Sequence, residues 1–271
     1  MPTFDTVTFP NSRVATIDVG RIAARKHGVV GLFEVDVTEA RSRIRGAIRA
    51  GRDISFQAWF IKTVADVIAR DPAAQALRRG ARNLVLYHDV DVALTIERNL
   101  GGSKVPLASV LKKANEKTIE DLCREIAELK KAPVASEKDY SPGRASKAST
   151  GLFFRLPALL RRSIWRYILG DPVLRKNTMG TVMITNVGIG KSSPGWIVPK
   201  TLHNLCIGIG SLAEKPWVHK KEIVIREILN LTVIFDHDAI DGMPAARFAG
   251  RLVEALEGAE HLGTSSEAAG P

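Results

Sequence analysis

Apolar residues recur along this chain with two periods, and the switches between them mark its elements. Val29–Val37 reads as a strand, and Thr38 with Glu39, Arg41, Ile44 and Ile48 reads as a capped amphipathic helix. Phe56, Phe60, Val64 and Ile68 return at helical intervals between Ser55 and Arg70, and Asp71-Pro72 ends that helix because the residue before a proline avoids helical angles. Leu84–Tyr87 and Val90–Ile96 predict strands, and Gly101-Gly102 a turn before Val105–Val110. Thr118-Ile-Glu-Asp121 has the form of a capping box, opening a helix with Ile119, Leu122, Ile126 and Leu129 on one face. Residues 132–150, rich in Pro, Ser, Lys and Gly, predict a connection. Gly180–Gly188 predicts a strand closed by a turn, and His203–Ser211 and Ile223–Ile228 predict further strands.

The stretch Leu231–Gly242 joins these patterns to chemistry. Val233, Ile234 and Phe235 suit a buried strand, which stops at His237 between two aspartates, and Met243–Leu256 resumes with helical spacing through Phe248, Leu252, Val253 and Leu256. Strand, tight turn and helix follow one another, with Gly242 expected to supply backbone freedom for the turn. A turn held between two packed elements presents His237 in one orientation, as a general base requires. The plain alternative is a strand-end histidine with Asp241 as a helix cap.

Composition narrows the classes. The chain of 271 residues is 45% hydrophobic, enough for a substantial core, and its two cysteines, Cys123 and Cys206, have neither metal-ligand spacing nor a disulfide framework. Reduced cysteines point to a cytoplasmic setting, and neither a signal peptide nor a membrane-spanning run is visible. A net charge of +10 suits nucleic acid, anionic lipid or an anionic substrate alike, but the basic residues are dispersed and no nucleic-acid motif is found. His27, His88, His203, His219 and His261 lie in unrelated segments without zinc-type spacing, so no metal site and no rival catalytic site is expected. No Gly-x-Ser-x-Gly elbow supports a serine hydrolase. Gly151–Gly170 mixes aromatic and aliphatic residues with Arg155, Arg161, Arg162 and Arg166. It reads either as a helix packed over the fold with its arginines in solvent, or as a contact with a membrane surface or a hydrophobic acyl substrate.

Taken together, Leu-Thr-Val-Ile-Phe-Asp followed by His237-x-x-x-Asp-Gly242 and Ala-Ala-Arg-Phe resembles the active-site segment of the dihydrolipoyl acyltransferase catalytic domain of 2-oxoacid dehydrogenase complexes, and more distantly that of chloramphenicol acetyltransferase. Glu-Val-Asp-Val-Thr near the start, Gly102-Ser-Lys-Val-Pro-Leu107 and Thr185-Asn-x-Gly188 match further family segments in order. The resemblance covers about residues 12–257 and implies a single catalytic domain of α/β class over residues 1–271, a two-layer sandwich of mixed β-sheet and helices. It also implies a homotrimer with its active site between subunits, where His237 of one copy faces Thr185 of the next. His237 would then be the base, Thr185 the oxyanion donor and Asp241 an organiser of the turn, with Gly242, Asn186 and Arg13 as structural residues of the site and Arg13 a candidate partner for Asp241. The implied function is coenzyme A-dependent acyl transfer between a thioester and a thiol or hydroxyl acceptor. The acceptor is open, and a lipoyl group carried by another protein is one candidate. A catalytically silent trimeric scaffold of the same fold is the alternative. Three departures weaken the link to a dehydrogenase complex: no lipoyl or peripheral-subunit-binding domain precedes the core, Asp238 stands where the family has Arg, and the tail lacks an apolar end.

Overall fold

Six apolar segments, β1 (Gly28–Asp36), β4 (Val92–Leu100), β5 (Ser103–Leu111), β6 (Val182–Asn186), β7 (Leu205–His219) and β8 (Glu222–Asp236), pair into one sheet in the order β1-β8-β7-β6-β4-β5. A separate small hairpin joins β2 (Leu77–Arg79) to β3 (Asn83–Val85). The computed structural model describes residues 3–6, 12–100, 103–131, 153, 156–186 and 194–263. β6 runs parallel to β4 and β7 while the other neighbours are antiparallel, so the sheet is mixed, in agreement with the predicted fold class. The helices are α1 (Ser12–Ala23), α2 (Thr38–Arg49), α3 (Phe56–Arg70), α4 (Ile119–Lys131), α5 (Ala158–Gly170), α6 (Pro172–Met179) and α7 (Gly242–Glu257).

Alternation along the strands sends Val35, Leu94, Ile184, Ile207, Leu231 and Val233 into one core with the apolar stripes of α2, α3, α4 and α7. Trp59, Phe60, Ile61 and Ile68 of α3 are fully buried there, each adding about 1.5–3 kcal/mol of apolar burial. α3 begins where Ser55 accepts a hydrogen bond from the Ala58 amide at 3.2 Å, and the capping box of α4 forms between Thr118 and Asp121.

The opposite sheet face is crossed by residues 194–200. A side chain at Gly208 would meet Ile197, and one at Gly210 would lie 2.5 Å from the Gly195 carbonyl, so these glycines permit the close crossing. The Gly-x-Gly pair therefore serves packing within β7.

One expectation changes, and two features are new. Ile223–Ile228 and the run from Leu231 are one strand, because the intervening Asn230 is buried and its side-chain amide donates to Ser211 Oγ at 2.9 Å. β7 and β8 meet in a two-residue turn in which Lys220 and Lys221 both have positive φ, the geometry that suits the twist of a hairpin. α6 was not anticipated, although Asp171 caps it and Pro172 opens it. The Gly101-Gly102 turn, the connection at 132–150 and Gly188 lie outside the described residues.

The basic segment before Gly170 also differs from its simplest reading. Arg161 turns inward, its Nε 2.7 Å from the fully buried Asp18 carboxylate of α1, and Trp165 is buried beside Ala23, Met179 and Leu202. Leu159, Leu160 and Tyr167 are exposed instead, alongside Arg162 and Arg166. Both cysteines are free, and burial pushes the Cys206 thiol up to about 12. Among the described residues no helix is long and apolar enough to cross a membrane, and no cluster of His, Cys, Asp or Glu is arranged to hold a metal.

Removing the Arg161 side chain leaves Asp18 buried without its cation, so Arg161→Ala is expected to cost about 3–5 kcal/mol in chemical denaturation. The double variant Asp18→Asn, Arg161→Leu should recover much of that loss.

Candidate active site

β8 leaves the core at Asp236. Just before it, Phe235 packs edge-on against Phe248 of α7 with ring centroids 5.7 Å apart, which fixes the strand end relative to the helix. The Asp236 carbonyl accepts from the amides of Ala239 and Ile240 at 2.9 and 3.2 Å, closing a tight turn that tucks Ile240 inward and leaves His237 and Asp238 outside. The His237 amide donates to the His27 carbonyl at 2.9 Å. His237 is exposed and lines a cleft of about 280 Å³, whose lining also includes Arg78, Arg82 and Asn83 from the small hairpin and Asp238 and Asp241.

The two flanking aspartates do different things. Asp238 Oδ1 lies 2.9 Å from His27 Nδ1 and its Oδ2 3.4 Å from Arg78. The hydrogen bond to His27 holds the Asp238 carboxyl below the usual carboxylate range and raises His27 above its ordinary 6.5. Asp236 faces the interior, its Oδ2 3.0 Å from Lys26 Nζ, while its Oδ1 accepts from the Asp238 amide at 3.3 Å. Lys26 also donates to the His203 carbonyl at 2.9 Å and to Asn204 Oδ1 at 2.7 Å, and burial lowers its pKa to about 8. Arg175 of α6 donates to the same Asn204 oxygen at 2.9 Å. His203 is buried between Thr201 Oγ1 and the Met179 carbonyl, and burial takes it down to about 3, so it is neutral.

The remaining sequence-derived residues are scattered. Asp241 occupies the N-cap position of α7 with φ −79° and ψ 164°, but its side chain makes no capping bond. Gly242 is the first helical residue, without positive φ, and a side chain there would meet nothing within 4 Å, so the turn does not draw on glycine's freedom. Arg13 sits in the first turn of α1, whose later turns bind α5, and among the described residues no ion pair joins it to Asp241.

Thr185 is buried near the end of β6, with Asn186 exposed after it. The register aligns Thr185 with Gly208 and Gly208 with Thr232, which puts two strand spacings and five residues between Thr185 and His237. At about 4.8 Å per strand and 3.3 Å per residue, the two are roughly 20 Å apart in one chain. His27 was missed by the sequence reading, which set it in an unrelated segment; antiparallel pairing of β1 with β8 carries it to His237.

Residues 174–264 match the family model for the 2-oxoacid dehydrogenases acyltransferase catalytic domain. Over 96 residues, 34% of this chain and 18% of the relative, the sequence is 36% identical to the dihydrolipoyllysine-residue acetyltransferase component of the pyruvate dehydrogenase complex of Acholeplasma laidlawii. It is 23% identical over 232 residues to the lipoamide acyltransferase component of the branched-chain alpha-keto acid dehydrogenase complex of Bacillus subtilis, covering 83% of this chain and 46% of that one. This chain thus spans less than half the length of either relative. In structure it is similar to a probable dihydrolipoamide acetyltransferase from Listeria monocytogenes, at TM-score 0.67 and 20% identity over 97% of this chain and 98% of that one. The dihydrolipoamide acetyltransferase of Azotobacter vinelandii aligns at TM-score 0.67 and 18% identity, over 96% of this chain and 93% of that one. That protein has been investigated for the roles of a serine, a histidine and an asparagine in its mechanism, spaced by 52 and 4 residues, the spacings of Thr185, His237 and Asp241 here. Chloramphenicol acetyltransferase aligns at TM-score 0.51 and 14% identity over 94% of this chain and 99% of that one. Residues 174–264 thus resemble in sequence the 2-oxoacid dehydrogenases acyltransferase catalytic domain, and nearly the whole chain shares its fold with the dihydrolipoamide acetyltransferase structures and with chloramphenicol acetyltransferase.

Proposed function

We propose that this chain transfers acyl groups between coenzyme A thioesters and a thiol or hydroxyl acceptor, with His237 as general base. The observation that carries the reading is the presentation of His237: its backbone amide is bonded to the His27 carbonyl while the residue is exposed and lines an open cleft. His237 takes the proton of the acceptor thiol or hydroxyl, and the acceptor attacks the thioester carbonyl. Thr185 Oγ1 donates to the oxyanion of the tetrahedral intermediate. Collapse breaks the carbon–sulfur bond, and the departing coenzyme A thiolate takes the proton back from the imidazolium. The spacing shared by Thr185, His237 and Asp241 with the Azotobacter protein supports these assignments. Asp241, at the N-cap of α7, and Asn186, at the end of β6, belong to the same site as supporting residues.

Because Thr185 and His237 are so far apart within one chain, we assign them to facing copies in a homotrimer built from a single catalytic domain. The acceptor class includes a lipoyl group carried on another protein. The setting we propose is cytoplasmic, consistent with two free cysteines. For peripheral membrane contact the relevant surface is Leu159, Leu160 and Tyr167 with Arg162 and Arg166, rather than the buried Trp165.

His237→Ala is expected to lower turnover about 10²- to 10⁴-fold, and Thr185→Ala about 10²-fold. Thiol release from a panel of acyl-coenzyme A donors, with dihydrolipoamide, small alcohols and amines as acceptors, measures both, and light scattering checks that the variants remain trimers. A stable wild-type monomer would remove the shared site, and wild-type inactivity across the panel would favour the silent scaffold.

Co-sedimentation with anionic vesicles tests the surface contact. The Leu159→Ser, Tyr167→Ser variant is expected to bind several-fold less than wild type; equal partitioning would assign this helix face to solvent alone.

A further inference from the structure

The dipeptide Lys26-His27, which precedes β1, touches all three residues of Asp236-His237-Asp238. Lys26 Nζ is 3.0 Å from Asp236 Oδ2, the His27 carbonyl accepts from the His237 amide at 2.9 Å, and His27 Nδ1 is 2.9 Å from Asp238 Oδ1. Behind this contact the Asn204 carbonyl accepts from the Asp236 amide at 2.8 Å, and the Asn204 side-chain amide donates to the Ala76 carbonyl at 2.6 Å, just before β2. The segment carrying His237 is therefore gripped from inside the fold and open to the cleft outside.

We propose that Lys26 and His27 form a clasp that positions His237, with Lys26 as its anchor; the idea rests on the reading of His237 as the base. The regular β1–β8 ladder ends at Asp236, and the bond from the His237 amide to the His27 carbonyl extends it by one residue. A histidine on an unrestrained turn can shift by an ångström, and an error of that size costs on the order of 10²-fold in rate. Lys26 suits the anchoring role geometrically. An ammonium has three donors, and three oxygens surround it: the His203 carbonyl, Asn204 Oδ1 and Asp236 Oδ2. Both members of the dipeptide act through backbone and carboxylate groups of the turn, so they are positioning residues rather than catalytic ones.

The anchor has its own titration. The groups facing Lys26 are Asp236 and Asp238 at the end of β8, Arg175 from α6, and Lys200, His203 and Cys206 at or before the start of β7. Burial pulls Lys26 down to about 8; Asp236 opposes this and Arg175 adds to it. His203, at about 3, and Cys206, at about 12, remain neutral through that range. The clasp is thus charged at neutral pH and loses the ammonium as pH rises past about 8.

Lys26→Met is the test, made in the full chain. Its kcat is expected to fall about 10- to 100-fold while KM stays within about twofold, the split of a misplaced base rather than lost substrate binding. In wild type, kcat should decline as pH passes about 8, and that limb should be missing from the variant. Hydrogen exchange at the His237 amide, read by NMR without substrate, should be faster in Lys26→Met. His27→Ala keeps the backbone bond and should show a smaller change in exchange. A folded Lys26→Met protein with wild-type kcat, pH profile and His237 amide protection would overturn the clasp. Activity in His237→Ala would instead overturn the base assignment, and if wild type turned over no thioester, unchanged amide protection in Lys26→Met would still be decisive against the clasp.

Discussion

The register of β1 against β8 is the constraint on which the rest depends. Nine residues pair without interruption, from Gly28 opposite Asp236 to Asp36 opposite Ile228. A slip of one residue would turn Val35 and Phe33 away from the helices and expose their side chains, so the apolar face alone strongly favours this alignment. Polar groups lock both ends. At one end Arg226 Nε lies 2.6 Å from Asp36 Oδ2, Asp36 Oδ1 accepts from Thr38 at the start of α2, and Thr38 Oγ1 accepts from the Glu227 amide at 2.7 Å. At the other end Lys26 and His27 take hold of the residues around His237.

The sheet separates two kinds of environment. Its helix side is dry and aliphatic, and supplies most of the apolar burial that stabilises the fold. Its other side carries Asn230, Ser211, Thr232, Gly208 and Thr185, and is tied to the crossing segment by bonds such as Gly195 N–H to Ser211 Oγ at 2.8 Å. A hydroxyl on β6 and a histidine beyond β8 are both held firmly in such a scaffold, but at separate ends of it. In the proposed reaction this is the physical reason that a second copy completes the chemistry. Neither strand can slide toward the other without breaking the ladders between them.

Charge near the site follows from the same scaffold. Asp238 draws its partners from distant segments, Arg78 from the small hairpin and His27 from just before β1. Lys26 and Arg175 gather around Asn204 beneath the turn, with Asp236 as the nearby acid. The sheet end is thereby a polar, cross-linked base under the exposed His237.

Local pattern was sufficient to reveal β1 and the helices with a repeating stripe: α3 is readable from Phe56, Phe60, Val64 and Ile68, α4 from Ile119, Leu122 and Ile126, and α7 from Phe248, Leu252 and Leu256, since period and capping are properties of neighbouring residues. The abrupt end of an apolar strand at His237 was legible for the same reason, whereas the candidacy of Thr185 came from the resemblance and not from its own pattern, which reads as a plain core strand. What the sequence could not disclose is every relation between distant segments. Ile223–Ile228 and the run from Leu231 read as separate until Asn230 found Ser211 on the next strand, and Arg161 read as solvent-facing until α1 supplied Asp18. His27, apparently unrelated to the site, lies against it. Periodicity fixes which face of an element is apolar, whereas polar partnerships and the distance between Thr185 and His237 depend on strand order and register, which only the folded chain decides.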